Sequence, residues 1–485
     1  MVMSTLLAVS LLGLTPVSAA PTPVTPAEVR AYISAHTGGS GAALPAPDLT
    51  RLAREYVIGH SAGAFHATIP SYSRQTGYAC SECHTAFPLL NSFGRRFKLN
   101  GYTLTDVKTI QGDTTNGETL RLPLIPPISA MVETSFSQLK TAIPGTKNGE
   151  VQFPQSLGLY VGGAISPRLG TFIQLNYDGS AGTLGLDMAE IRYARHTTVG
   201  NKELLLGALA NNNPGLQDVW NSVPAWRFPF MSSAVAPSPA AAPLAEGALM
   251  QQVAGFGVYA LWNKLLYVEY AAYRSAVPGG PHPPDSSSTN TIQGVASYWR
   301  SYLQHSWGDQ TLMVGTFGMS GNLFPTGIVG AVNRYRDVAF DAQYDRPLGS
   351  GTLSAHGSWL HERQQFDAGV GGGTTANASN SLNTLHLDAS VLTASRVAFT
   401  LGYFSTTGTT DSLQYTAMPI EGSATRSPNS RGFIGEVSLL PWQNTRFALQ
   451  YVNYSKFNGG STNYDGAGRN ASDNNVLYLT GWFLF

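Results

Sequence analysis

Asp337-Val338-Ala339-Phe340-Asp341-Ala342-Gln343-Tyr344-Asp345 places Val338, Phe340, Ala342 and Tyr344 on one face of an extended chain. Asp337, Asp341, Gln343 and Asp345 fall on the other. Period-two alternation of this kind is the pattern of a strand with one apolar and one polar face. It recurs nearby. Leu385, Leu387, Ala389 and Val391 alternate with His386, Asp388 and Ser390, and Leu353, Ala355, Gly357 and Trp359 alternate with Ser354, His356, Ser358 and, further on, Glu362. About sixteen such segments follow one another, the first near Ile128, others near Leu157, Leu169 and Met188, the last near Asn474.

The connections alternate in length. Ser166-Pro167-Arg168, Asn263-Lys264, Trp307 to Gln310, Thr393 to Ser395 and Pro441 to Asn444 are tight turns, whereas Ala210 to Gln251, Ala276 to Gln293, Arg363 to Asn383 and Ser405 to Arg431 are long. Short turns at one end and long loops at the other belong to antiparallel outer-membrane barrels, with the short turns periplasmic and the long loops extracellular. The expected fold is therefore all-β: an antiparallel outer-membrane barrel of about sixteen strands, occupying residues 120–485. The last strand ends on Phe483 and Phe485, with Leu477, Leu479 and Gly481 on the same face. A soluble sandwich or propeller is the competing architecture. Only 12% of residues are charged, about half the soluble norm of roughly a quarter, which favours the barrel. No stretch beyond the N-terminus is apolar enough for a membrane helix. Net charge is zero, so there is no basic surface for nucleic acid.

Upstream, the texture differs. Leu6 to Leu14 form an apolar core and Val17-Ser18-Ala19 a cleavage-type sequence, so residues 1–19 read as an export signal, although one without Lys or Arg at its start. Thr25-Pro26-Ala27-Glu28 is a capping box for a helix to about Ala35, and Asp48 can cap a second through Val57. The only two cysteines of the chain stand in Cys80-Ser81-Glu82-Cys83-His84. C-x-x-C-H is the attachment sequence for haem c: two thiols form thioethers to the vinyl groups and the adjacent histidine is the proximal iron ligand. A zinc site would want a second pair of ligands, and a redox disulfide would want a βαβ context. Residues 20–115 thus read as a small α-helical monohaem region, able to plug the lumen of the barrel. For the sixth iron ligand the candidates are His66, His60, His36 and Met131, with His66 favoured by its nearness to the motif. Arg95, Arg96 and Lys98 could meet haem propionates or be ordinary solvated charge. There is no phosphate loop, H-E-x-x-H or G-x-S-x-G motif, and Asp218, Asp285 and Asp367 lack metal-site spacing.

Arg74-Gln75-Thr76-Gly77, the haem motif, Thr85, Phe87-Pro88-Leu89, Phe93-Gly94-Arg95 and Phe97-Lys98-Leu99-Asn100-Gly101-Tyr102 form a specific run. It resembles the outer-membrane monohaem cytochrome–porin fusions of acidophilic Fe(II)-oxidising bacteria. Asn211-Asn212-Asn213-Pro214 through Asp218, Trp220-Asn221 and Pro224-Ala225-Trp226 resemble the barrel portion of the same family. The resemblance implies a ferrous-iron-oxidising cytochrome that passes electrons from extracellular Fe(II) through one haem c to a periplasmic c-type cytochrome or blue-copper protein. It also implies that Cys80 and Cys83 carry the thioethers and that His84 is the proximal ligand. Two other readings compete: a diffusion porin with a haem-bearing cap, and an outward-directed reductase.

Overall fold

The computed structural model describes residues 70–104, 109–111, 121–123, 125–179, 182–276 and 283–485. The export signal, the two helices expected before residue 58, and His36, His60 and His66 lie outside these. All described residues belong to one compact unit.

Sixteen antiparallel strands close into a barrel. They are β1 (Ile128–Leu139), β2 (Glu150–Ser166), β3 (Leu169–Asp178), β4 (Thr183–Val199), β5 (Lys202–Asn211), β6 (Val253–Trp262), β7 (Leu266–Ser275) and β8 (Ala296–Trp307), then β9 (Gln310–Thr326), β10 (Asn333–Leu348), β11 (Gly351–Phe366), β12 (Ser379–Leu392), β13 (Val397–Gly408), β14 (Ser430–Trp442), β15 (Thr445–Lys456) and β16 (Val476–Leu484). Each pairs with its sequence neighbour, and β16 returns to β1, from Val476 opposite Leu139 to Leu484 opposite Met131. A further piece, Thr289–Ile292, pairs only with the far end of β9 and prolongs the line of β8. Closure leaves no unpaired strand edge.

The alternation read in the sequence sorts inside from outside. On β10, Val338 and Phe340 are 43% and 56% exposed, while Asp337 and Asp341 are 2% and 4% exposed. On β13, Phe399 and Leu401 point outward and Thr400 inward. Trp262, Trp307 and Trp442 stand outward near the short turns, as in an interfacial aromatic girdle. An apolar belt around a closed barrel with a polar interior is stable only with lipid outside. The chain is an outer-membrane β-barrel, with the short turns periplasmic and the long loops extracellular.

Two chain segments cross the lumen. The first is residues 70–104, with α1 (Pro70–Thr76), α2 (Cys80–Cys83) and α3 (Ser92–Leu99). Its bonds reach much of the wall near the short-turn end: Tyr72 to the Thr171 carbonyl, Gln75 to that of Gly162, Arg95 to Asp345, Tyr102 to Glu190, and Tyr259 to the Leu99 carbonyl. The second is the long β5–β6 connection, residues 212–252, called here the inner loop. It folds inward rather than outward. Asp218 caps its own turn, accepting from the amides of Trp220 and Ser222 at 3.0 and 2.8 Å. Arg300 lies between Asp218 and Asp341 and ties that turn to β8 and β10. Further along, the amides of Leu244 and Ala245 donate to Glu362 and Asp337, each at 2.6 Å.

Candidate haem site

The attachment sequence forms one short turn of helix, α2, followed by a loop that doubles back. Ala79, at the helix start, has no side chain to cap it. The Cys80 amide is instead met at 2.8 Å by Gln443 Oε1, from the β14–β15 turn. The other end is held by Asn91. Its amide nitrogen donates to the carbonyls of Ser81 and Glu82, and its oxygen accepts from the backbone of Phe93 and Gly94, capping α3. One side chain thus joins the end of α2 to the start of α3. The two helices touch so closely that a Cβ on Gly94 would lie 2.1 Å from the Cys83 carbonyl oxygen.

His84 directly follows α2. Its Nδ1 is 3.2 Å from the Pro88 carbonyl oxygen. A carbonyl only accepts, so Nδ1 carries the proton and Nε2 keeps its lone pair, which is how second-shell bonds prepare an imidazole for a metal. Burial pushes the His84 ring down to about 4, against hydrogen bonds to the Pro88 and Leu89 carbonyls. It is neutral, as an iron ligand must be. Burial also pushes the Cys83 thiol up to about 11, which keeps it a thiol in the folded chain.

Cys80, Cys83 and His84 line a cleft of about 1360 Å³ inside the barrel mouth. Tyr78, Phe87, Phe93 and Phe97 of the segment form one side; Tyr160 and Phe172 of β2 and β3, with Trp226 of the inner loop, form the other. A cavity walled by aromatic rings, with two adjacent thiols and an imidazole pre-set through Nδ1, fits covalent haem c. Among the described residues its lining holds no second histidine and no methionine. Met131 lies behind that lining: it packs in a cluster with Trp482, Leu484, Phe87 and Tyr160, and its sulfur takes the Tyr160 hydroxyl at 3.9 Å.

The three cations expected after the motif divide. Arg95 is buried, paired with Asp345 at 2.9 Å and stacked on Trp220. Lys98 is buried too; its ammonium donates to the Leu216 and Asp218 carbonyls at 2.6 and 2.9 Å and sits over the Trp226 ring, and burial lowers it to about 7. Both fasten the segment to the barrel and the inner loop. Arg96 alone is exposed. The polar strand residues do line the lumen: His356 pairs with Asp388, and His386 lies 3.3 Å from Glu246 of the inner loop.

Sequence reasoning missed the two residues that clamp α2. Asn91 was detectable as an N-cap before Ser92-Phe93-Gly94. Gln443 had no signal, being 363 residues from its partner. The reading also did not anticipate that Asp218, Asn221 and Trp226 share the cleft with the haem motif, because nothing local shows that a loop turns inward.

No family model matches the chain, and no curated protein matches it. Among solved structures it is similar to OmpT lacking loop L8, an outer-membrane protein of Vibrio cholerae, at 10% identity over 74% of this chain and 98% of that one, with a TM-score of 0.42. It is also similar to an anion-selective porin from Comamonas acidovorans at 12% identity, covering 74% and 98%, TM-score 0.42. The channel DcaP of Acinetobacter baumannii matches at 10% identity, covering 74% and 96%, TM-score 0.42.

Proposed function

We propose that the chain is an outer-membrane electron-transfer cytochrome that oxidises extracellular Fe(II) and delivers the electron, through one covalent haem c, to a periplasmic c-type cytochrome or blue-copper protein. The observation that carries this reading is His84: it follows two cysteines that share its cleft, its Nδ1 is committed to the Pro88 carbonyl, and it lines an aromatic cavity within the barrel. Cys80 and Cys83 would hold the thioethers, and His84 Nε2 would bind the iron. Bound there, the haem would supply a one-electron iron couple. Asn91, Gly94 and Gln443 keep the attachment helix in place, and the surrounding rings exclude water.

Access from outside is short on one side of the barrel. Gln174 lines the cleft, and Asp178 at the loop end of β3 lies four residues on, a rise of about 13 Å. A donor at that rim, or just inside it, is near the cavity. A barrel of this size is also the architecture of diffusion porins, but two segments cross this lumen, which supports an electron conduit over free solute passage.

The test is anaerobic addition of Fe(II) to purified protein at acid pH, following the visible haem spectrum. Reduction within seconds, together with a strongly positive midpoint potential, is expected. A haem that stays oxidised would sink the reading, and a low potential would favour the outward reductase.

A further inference from the structure

The two ends of the barrel differ in charge. Among the described residues, the extracellular loops other than the inner loop carry six acids and four bases. At the periplasmic end the turns present Arg168, Lys202, Lys264, Arg346 and Arg396, all exposed, against Asp309 and the half-exposed Glu203. The segment in the mouth adds Arg74 and Arg96, with Glu82 as its exposed acid. Seven bases thus face three acids among these residues. Apart from the buried Arg95 and Lys98, the rest of the sequence before β1 adds five bases and six acids (three of each in residues 1–69, then Lys108 and Arg121 against Asp106, Asp113 and Glu118), which leaves three bases in excess.

The cations of the outer rim could equally meet lipid phosphates. Arg96 could not, because it lies on α3 inside the mouth. It lines a second cleft, of about 750 Å³, between α3 and the turns after β4 and β6. Lys264, His196 and Glu203 line the same cleft. Glu203 lies 3.3 Å from the Lys264 ammonium and 2.9 Å from His196, whose other ring nitrogen is 3.0 Å from Asn100, so Arg96 is the cation of the cleft not engaged by that carboxylate. Phe93, Phe97 and Leu104 belong to the walls of both clefts. The cationic cleft therefore backs directly onto the cavity that contains Cys80, Cys83 and His84.

We propose that the periplasmic mouth, centred on the Arg96–Lys264 cleft, is the docking site for the electron acceptor, and that the acceptor presents an acidic face. This rests on the electron-transfer reading above. Charge complementarity steers the encounter and fixes orientation. A partner carboxylate seated at Arg96, beside the Lys264–Glu203 pair, would bring the partner to the thin aromatic wall of the haem cavity. One electron leaves the reduced haem and one enters the partner's metal, with no proton moved.

The experiment uses the full haem-loaded protein in nanodiscs, with plastocyanin as an acidic blue-copper probe and mitochondrial cytochrome c as a basic one. Binding is measured by interferometry, and oxidation of the reduced haem by stopped flow. Plastocyanin should bind at least tenfold tighter than cytochrome c at low ionic strength, and added salt should erase the difference. Arg96→Glu with Lys264→Glu should weaken plastocyanin binding at least tenfold while the haem spectrum is retained. Equal binding of the two probes would overturn the proposal. So would an effect confined to Arg168→Glu, Lys202→Glu and Arg396→Glu and abolished by replacing anionic with neutral lipid, which would assign the cations to headgroups. If the purified protein carried no haem, the electron-transfer reading would fail while the binding arm remained readable.

Discussion

Gly94 is where one atom decides the site. A methyl group there would sit 2.1 Å from the Cys83 carbonyl oxygen, and the obstacle is backbone, which cannot swing aside. Overpacking of this kind costs roughly 1–3 kcal/mol. Gly94→Ala should therefore prise α3 from α2 and lower haem content or bleach the haem spectrum, with the barrel's heat-modifiable migration kept; an unaltered spectrum would mean the helices can separate freely. His84 makes a prediction in pH. Its ring sits at about 4 in the folded chain against an ordinary 6.5, chiefly through burial. Between those values the unfolded chain binds more protons, so stability of the docked segment rises with pH there and is flat below about 4. In a haem-free Cys80→Ser, Cys83→Ser protein, amide-exchange protection of Ser92–Leu99 should fall on acidification from pH 6.5 to 4. His84→Phe should flatten that slope, and a slope that survives the change must belong to other groups.

At the scale of elements, Lys98 is the bolt between α3 and the inner loop. Lys98→Met keeps the stem and strips two carbonyls, Leu216 and Asp218, of their donor, leaving buried acceptors at about 1–3 kcal/mol each. Amide exchange over residues 216–226 should quicken by at least tenfold; no change would mean that the Arg300–Asp218 contact alone holds the turn. The strands themselves were readable because inside and outside differ in polarity at every second residue. Of the sixteen expected starts eleven fall on strands, and Gln252, Leu265, Val295, Arg396 and Asn474 lie one or two residues before one, while β2 and β4 begin at Glu150 and Thr183, earlier than the expected Leu157 and Met188. Val151 and Phe153 do face outward against Glu150 and Gln152, but register shifts between Gln152 and Ser156 and between Leu186 and Met188 break the period that would have joined these residues to the rest of their strands. The Cys80–His84 motif stands out in the sequence for another reason, since its spacing is local. Its supports do not. Gln443, Asp218, Asn221 and Trp226 reach the site through closure of the barrel and the inward fold of one loop, and neither leaves a period in the sequence.

The whole molecule is a barrel crossed by two inward segments, which on the proposed reading would let electrons pass while hindering solutes. The ladder of sixteen strands closes through β16 and β1 without help from residues before 128, so a chain lacking residues 20–104 should still insert. It would lose the partners of Glu190, Asp345 and Tyr259 and open the periplasmic half of the lumen. The inner loop would stay, held by Arg300 between Asp218 and Asp341 and by Glu362 and Asp337 under Leu244 and Ala245. In planar bilayers the full chain should therefore pass little current and the truncated chain a modest one. Only truncation combined with replacement of residues 215–250 by a short Gly/Ser linker should reach the conductance of an open barrel of 16–18 strands. Large conductance from the intact protein would restore the diffusion-porin reading. Equal, low conductance from all three would mean that other loops close the extracellular mouth.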